Sequence, residues 1–236
     1  MRQILLVTAL AALAAIPGGA VRAQMPAGMP GGGMPGSGMA GSRPSAQPSQ
    51  VDATPRPDKP DVAAQKAYKA AAKALDKAMQ YDQLALKAPS ADKRADELEK
   101  ARDYYYRALD MFTEALSNDA EMAEAWNSAG YVHLRLGAYG ESIDDYNHAL
   151  KFKPDLPEAI AHRAEAYMRL DRLDEAQSAY MDLFNHARPL ADQLMTTMQR
   201  WLEEHRQDPK GMRPTQIDAF DQWLKERNKL ASQAPS

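Results

Sequence analysis

The sequence predicts an all-α fold, an array of antiparallel helix hairpins behind an irregular leader. Three observations carry this. Glycine and proline crowd the first quarter of the 236 residues and become rare from Asp61 onward. Ala, Leu, Glu and Lys then dominate, which is helical composition. Self-similarity at an interval of 34 residues runs through the middle of the chain.

Composition removes several functions at once. With no cysteine, there is no disulfide framework, thiolate metal site or cysteine nucleophile. The formal charge is −3, and over 61–231 there are 24 basic against 30 acidic residues. Nucleic-acid binding calls for the opposite balance, so no nucleic acid is expected as a partner.

Met1-Arg2-Gln3 followed by an apolar run from Ile4 to Ile16 reads as the start of a secretory signal. Pro17-Gly18-Gly19 breaks it, and Val21-Arg22-Ala23 supplies a cleavage point before Gln24. The expectation is export to the periplasm or medium with cleavage after Ala23, leaving no stable membrane span.

Residues 24–60 hold eight of the 16 prolines, and seven of the 13 glycines fall between Gly28 and Gly41. Such a stretch buries too little apolar surface to offset its ordering entropy, so it reads as a disordered leader. Met25, Met29, Met34 and Met39 recur within it. Thioethers suit Cu(I), but no His or Cys assists them. Copper handling is therefore the minor reading; no cofactor and no metal is the main one.

The repeat is clearest in Trp126-Asn127-Ser128-Ala129-Gly130-Tyr131, followed by Leu136-Gly137, Tyr139, Ser142, Tyr146, Ala149 and Pro154. Thirty-four residues on stand Ile160, Ala164, Tyr167, Ala176 and Tyr180. One step backward, Ser142, Tyr146 and Ala149 meet Ala108, Phe112 and Ala115. Two helices approach closely only over small side chains, which makes Gly130, Ala149, Ala164 and Ala176 the expected crossing points. Pro154 and Pro157 separate one hairpin from the next.

These residues resemble the tetratricopeptide repeat, strongly over 126–187 and less so over 104–125. His133, Ser142 and Leu183 depart from the family pattern, and Ala120 stands where a proline is usual. The resemblance implies a right-handed superhelical array. About three hairpins fill 61–187, capping helices occupy 188–231, and a tail covers 232–236.

Each element has its own signals. Val62–Lys87 carries Tyr68, Ala71, Ala72, Leu75 and Met79 at helical spacing. Pro89-Ser90 turns the chain into a partner helix from Ala91 to about Leu116. This first hairpin is longer than the others and is a candidate docking or edge element. Pro189 opens a helix striped with Leu190, Leu194, Met198, Trp201 and Leu202. Thr215, with Asp218 three residues on, is expected to cap the last helix, which carries Ile217, Phe220 and Leu224.

No catalytic signature is present: no Gly-x-Ser-x-Gly, no phosphate-cradling glycine loop, no His-Glu-x-x-His. Glu158, His162 and Glu165 share a helical face and read as a solvated charge patch rather than a metal site. His133 reads as a packed core histidine. Tyr104-Tyr105-Tyr106 reads as core and groove packing rather than base stacking.

Function then falls to a surface. The resemblance implies that the first helix of each hairpin lines a concave groove. Facing it would be Glu124, Asn127, Tyr131, Leu134 and Arg135, then Glu158, His162, Glu165, Met168 and Arg169. That set suits a protein or peptide segment, with Tyr131, Leu134 and Met168 as apolar anchors. The partner would be another envelope or exported protein. Tyr131 and His162 stand where a carboxylate-clamping member of the family has amides. A structural, oligomeric role through the first hairpin is the alternative.

Overall fold

The computed structural model describes residues 62–209 and 211–233. The signal segment, the leader and the last three residues lie outside the described residues. Eight helices are seen among those described: α1 (Val62–Leu86), α2 (Ala91–Asn118), α3 (Ala123–Leu136), α4 (Tyr139–Phe152), α5 (Pro157–Arg169), α6 (Leu173–His186), α7 (Arg188–Gln207) and α8 (Pro214–Gln233). They pair in order into hairpins, and each hairpin packs on the next, giving the all-α stack that the 34-residue interval predicts.

The second helices share one register. Ala108, Ser142 and Ala176 form one row, Phe112, Tyr146 and Tyr180 a second, and Ala115, Ala149 and Leu183 a third; all nine are at most 1% exposed. Ser142 is tolerated inside because its hydroxyl donates to the Gly130 carbonyl at 2.8 Å, which removes the cost of burying it. Gly130 lies where α3 crosses α4, against the Tyr146 ring. Ala164 is fully buried at the equivalent place on α5.

Local signals explain the helix ends. Ser90 accepts the Lys93 amide at 3.3 Å and caps α2. After α3 the chain turns at Gly137, φ +80°, with the Ala138 amide reaching back to the His133 carbonyl in the usual left-handed helix stop. The same turn after α5 places Asp171 at φ +56°, 34 residues on from Gly137. Pro157 opens α5 at its first turn.

Three details differ from expectation. Helix α8 starts at Pro214, so Thr215 lies inside the first turn. The capping is done by Gln216, whose Oε1 accepts the Arg213 amide at 3.2 Å, the return half of a capping box. Trp126 is half-buried at one end of its hairpin. Its indole donates to the Ala120 carbonyl at 2.8 Å and its ring stacks on His148 at 4.4 Å, closing the corner where proline is missing. His133 is no apolar core residue: its Nδ1 lies 2.7 Å from Asp145 Oδ2.

The last two helices do more than cover an end. Helix α7 packs on both α5 and α6, as α5 does on α3 and α4, so α7 and α8 continue the stack as a fourth hairpin. Leu183, Leu194, Met198, Trp201, Ile217, Phe220 and Leu224 share one apolar cluster. The Trp201 indole donates to the Met168 carbonyl at 3.0 Å. No helix among the described residues is long and apolar enough to cross a membrane.

Candidate ligand groove on the inner helices

Helices α1, α3 and α5 lie side by side as the first members of successive hairpins. On α3, Asn127, Tyr131 and Arg135 follow at intervals of four and share one face. All three are half-buried. On α5, Glu165 and Arg169 are one repeat on from Tyr131 and Arg135, and are also half-buried.

The first hairpin supplies the floor. Arg135 Nη2 donates to Asp82 Oδ2 at 2.6 Å, and the Tyr105 hydroxyl donates to the same oxygen at 2.5 Å. The Asp82 and Arg135 side chains are only 14% and 16% exposed, so the pair is shielded from screening. Burial by itself would pull the Arg135 guanidinium's pKa down, but Tyr105, Tyr131 and Asp82 outweigh it and leave the group raised. Burial likewise pushes the Tyr105 phenol up. The Tyr131 phenol is also raised by burial, against the pull of Arg135 and with help from Asp82 and Glu165. Both tyrosines are neutral donors at ordinary pH.

The far side is quieter. Arg169 reaches Glu165 at 3.9 Å. The His162 ring sits 5.3 Å from Tyr131 and 6.1 Å from Tyr146, centroid to centroid. Burial lowers its pKa against the opposing influence of Glu165 and Glu158, so the imidazole is neutral. Glu158 is exposed. The solvated patch expected at Glu158, His162 and Glu165 is therefore solvated only at Glu158. Among the described residues no three His, Asp or Glu side chains gather as a metal site would require.

The groove contains buried polar atoms without a partner: Asn127 Oδ1, Arg135 Nε and His162 Nδ1, with Tyr146 Oη beneath them. An unsatisfied buried group costs free energy. A cluster of them, drawn from α3, α4 and α5, is a place for water or a ligand to complete.

Two expected anchors are elsewhere. Leu134 is 4% exposed and packs with Ile143 and Ala166; Met168 is 1% exposed and joins the cluster formed with α7 and α8. Leu134 stands four residues after Gly130, and Met168 four after Ala164. Each continues the row of small crossing residues and points between helices rather than into the groove. Asp82, conversely, was not among the expected residues, and Tyr105 was expected only as core and groove packing. The signal for Asp82 was a carboxylate on the apolar stripe Ala71, Leu75, Ala78 and Ala85 of α1, where a charge needs a partner.

With this geometry in hand, comparison with known proteins agrees on the repeat. The tetratricopeptide repeat pattern matches residues 90–155, the span of α2, α3 and α4. A 77-residue stretch, 33% of the chain, is 27% identical to Protein SGT1 homolog of Oryza sativa subsp. japonica and covers 21% of it. The chain thus matches about a fifth of that relative's length. The all-α hairpin stack seen here is that of a tetratricopeptide-like array, and the family pattern itself is matched at 90–155.

Proposed function

We propose that the chain is a non-enzymatic binding module of the bacterial periplasm, holding a segment of another envelope or exported protein in the groove of α1, α3 and α5. The signal-like residues 1–23 support the location. The observation that carries the binding role is the set of unpartnered atoms at Asn127, Arg135 and His162 beside paired charges. Asp82 cancels Arg135, Glu165 faces Arg169, and His162 is neutral. Such a surface suits an uncharged, extended stretch of chain, read through its main-chain amides and carbonyls. It suits a carboxylate terminus or a phosphorylated residue poorly, because no groove cation is spare.

The test is pull-down from envelope extract with the wild-type chain and with an Asn127→Ala, Arg169→Ala double variant shown by circular dichroism to remain helical. Loss of one specific partner in the variant supports the reading. Equal recovery by both proteins overturns it.

A further inference from the structure

Hairpin α3–α4 closes one of its sides with two pairs of side chains that reach from helix to helix. The Trp126 ring stacks on His148 at 4.4 Å, and His133 Nδ1 meets Asp145 Oδ2 at 2.7 Å. One repeat on, the same four positions hold Ile160, Asp182, Tyr167 and Ala179. Ile160 has no ring to lay on Asp182, and Ala179 has no carboxylate for Tyr167 to meet. A cavity of about 390 Å³ opens there between α5 and α6, within the size range of ligand pockets. Helical spacing puts Ile160, Arg163 and Tyr167 on the side of α5 away from Glu165 and Arg169, so the cavity is separate from the groove.

The lining combines an apolar base with a charged rim. Ile160, Tyr167 and Ala179 are buried or half-buried, whereas Asp174 and Asp182 are exposed. Arg163 lies over the Tyr167 ring at 5.8 Å, and its Nη1 donates to Asn147 Oδ1, a neutral partner, at 2.6 Å. Its Nε is buried with no partner. Glu175 is cancelled by Arg172 at 2.6 Å. Asp174 has no ion pair among the described residues, and Asp182 meets only His186. Two carboxylates against one guanidinium leave the cavity negative.

We propose that this cavity binds an aromatic side chain carried next to a lysine or arginine in a partner segment. The ring takes the space that the Trp126–His148 pair fills in the preceding hairpin. The apolar base favours it, and so does Arg163, because a guanidinium plane stacks on an aromatic face. The basic neighbour meets Asp174 and Asp182. An aliphatic side chain would forgo the guanidinium contact, and an acidic neighbour would be repelled by both carboxylates. The site does not depend on the groove, so its failure would leave the groove reading intact.

The test titrates the full chain with N-acetylated dipeptide amides, Trp-Lys, Leu-Lys and Trp-Glu, and follows the methyl resonances of Ile160 and Ala179. Trp-Lys should shift both saturably. Leu-Lys should bind about fivefold more weakly, the loss expected of an aromatic contact. Trp-Glu should also bind more weakly than Trp-Lys. An Asp174→Asn, Asp182→Asn variant changes only the exposed rim; it should bind Trp-Lys about fivefold more weakly and no longer prefer it to Trp-Glu. An Ile160→Trp, Asp182→His variant restores the closing pair of the preceding hairpin and should exclude every dipeptide, read at Ala179. The absence of a saturable shift with Trp-Lys overturns the proposal. Equal binding of Leu-Lys or of Trp-Glu overturns it too, as does undiminished binding by either variant.

Discussion

A Cβ added to Gly130 would lie 2.9 Å from Cε1 of Tyr146, with Cδ1 and Cζ at 3.0 and 3.1 Å. The obstacle is the flat of a fully buried ring, with nowhere to retreat. Gly130→Leu should therefore destabilise the fold by about 1–3 kcal/mol, as overpacking does. Gly130→Ala should lose the helix-propensity gain of about 1 kcal/mol that Ala normally brings. Urea unfolding measures both. Adding Tyr146→Leu should make the Gly130→Ala change more favourable, because the two sites share one space. An unchanged midpoint for Gly130→Leu would show that α3 and α4 cross elsewhere.

Breaking the Asp82–Arg135 pair should hurt more than deleting it. Arg135→Met or Asp82→Leu alone strands a shielded charge, at a cost of about 3 kcal/mol. The double variant should recover more than half of that loss. Equal or additive losses in a double-mutant cycle would mean that the two side chains do not compensate each other.

Acid should act through His162. Its folded pKa lies below the ordinary 6.5 because the ring is buried. The unfolded chain therefore takes up the proton first. The histidine's contribution is fully present above pH 6.5 and is lost as pH falls from there through the folded pKa. Stability measured by urea unfolding should rise with pH in that window, and the rise should shrink in His162→Phe. A variant with the wild-type slope would assign the acid sensitivity to another group.

Alkali should act through the tyrosines. Burial raises Tyr105, Tyr131 and Tyr146 above the ordinary 10, so the folded state holds their protons longer. Their contribution is intact below pH 10 and is lost as pH rises through the folded values. Tyr180, 1% exposed, is raised by burial as well, so of the ten tyrosines these four should give their phenolate absorbance only as the chain unfolds. Simultaneous titration of all ten in the folded protein would contradict their burial.

The turn after α3 and the turn after α5 invite a paired experiment. Gly137→Ala places a side chain at φ +80° and should cost about 1–2 kcal/mol. Asp171→Gly relieves the same conformation at φ +56° but removes a 3.5 Å contact with His205 Nε2. The two effects should nearly cancel, within about 0.5 kcal/mol. Thermal unfolding of both variants separates a strained Asp171 from one held by its contact.

The hairpins were legible because close packing forces small side chains to recur. Ala108, Ser142 and Ala176 declare their rows at one interval, and the turn chemistry of Ser90 and Pro157 marks the boundaries. The groove was half legible. Asn127, Tyr131 and Arg135 follow from helical spacing within one helix. Leu134 and Met168 were misplaced because one helical position separates groove from crossing, and hydrophobicity alone does not choose between them. Asp82 and Tyr105 come from another hairpin, and the depth at which α1 sits beside α3 is a property of packing that no local pattern records. The cap of α8 shows the same limit at short range, since Thr215 and Gln216 are both plausible cap formers and the start at Pro214 decides between them.

Leu183 occupies the row that Ala115 and Ala149 hold in the earlier hairpins, and its side chain belongs to the cluster built by α7 and α8. Bulk at that one position makes the final pair of helices a dedicated match for what precedes it, whereas the inner units meet through interchangeable alanines. A further unit placed directly after α6 would have to accommodate Leu183, whereas one placed among the earlier hairpins would meet alanine at that position.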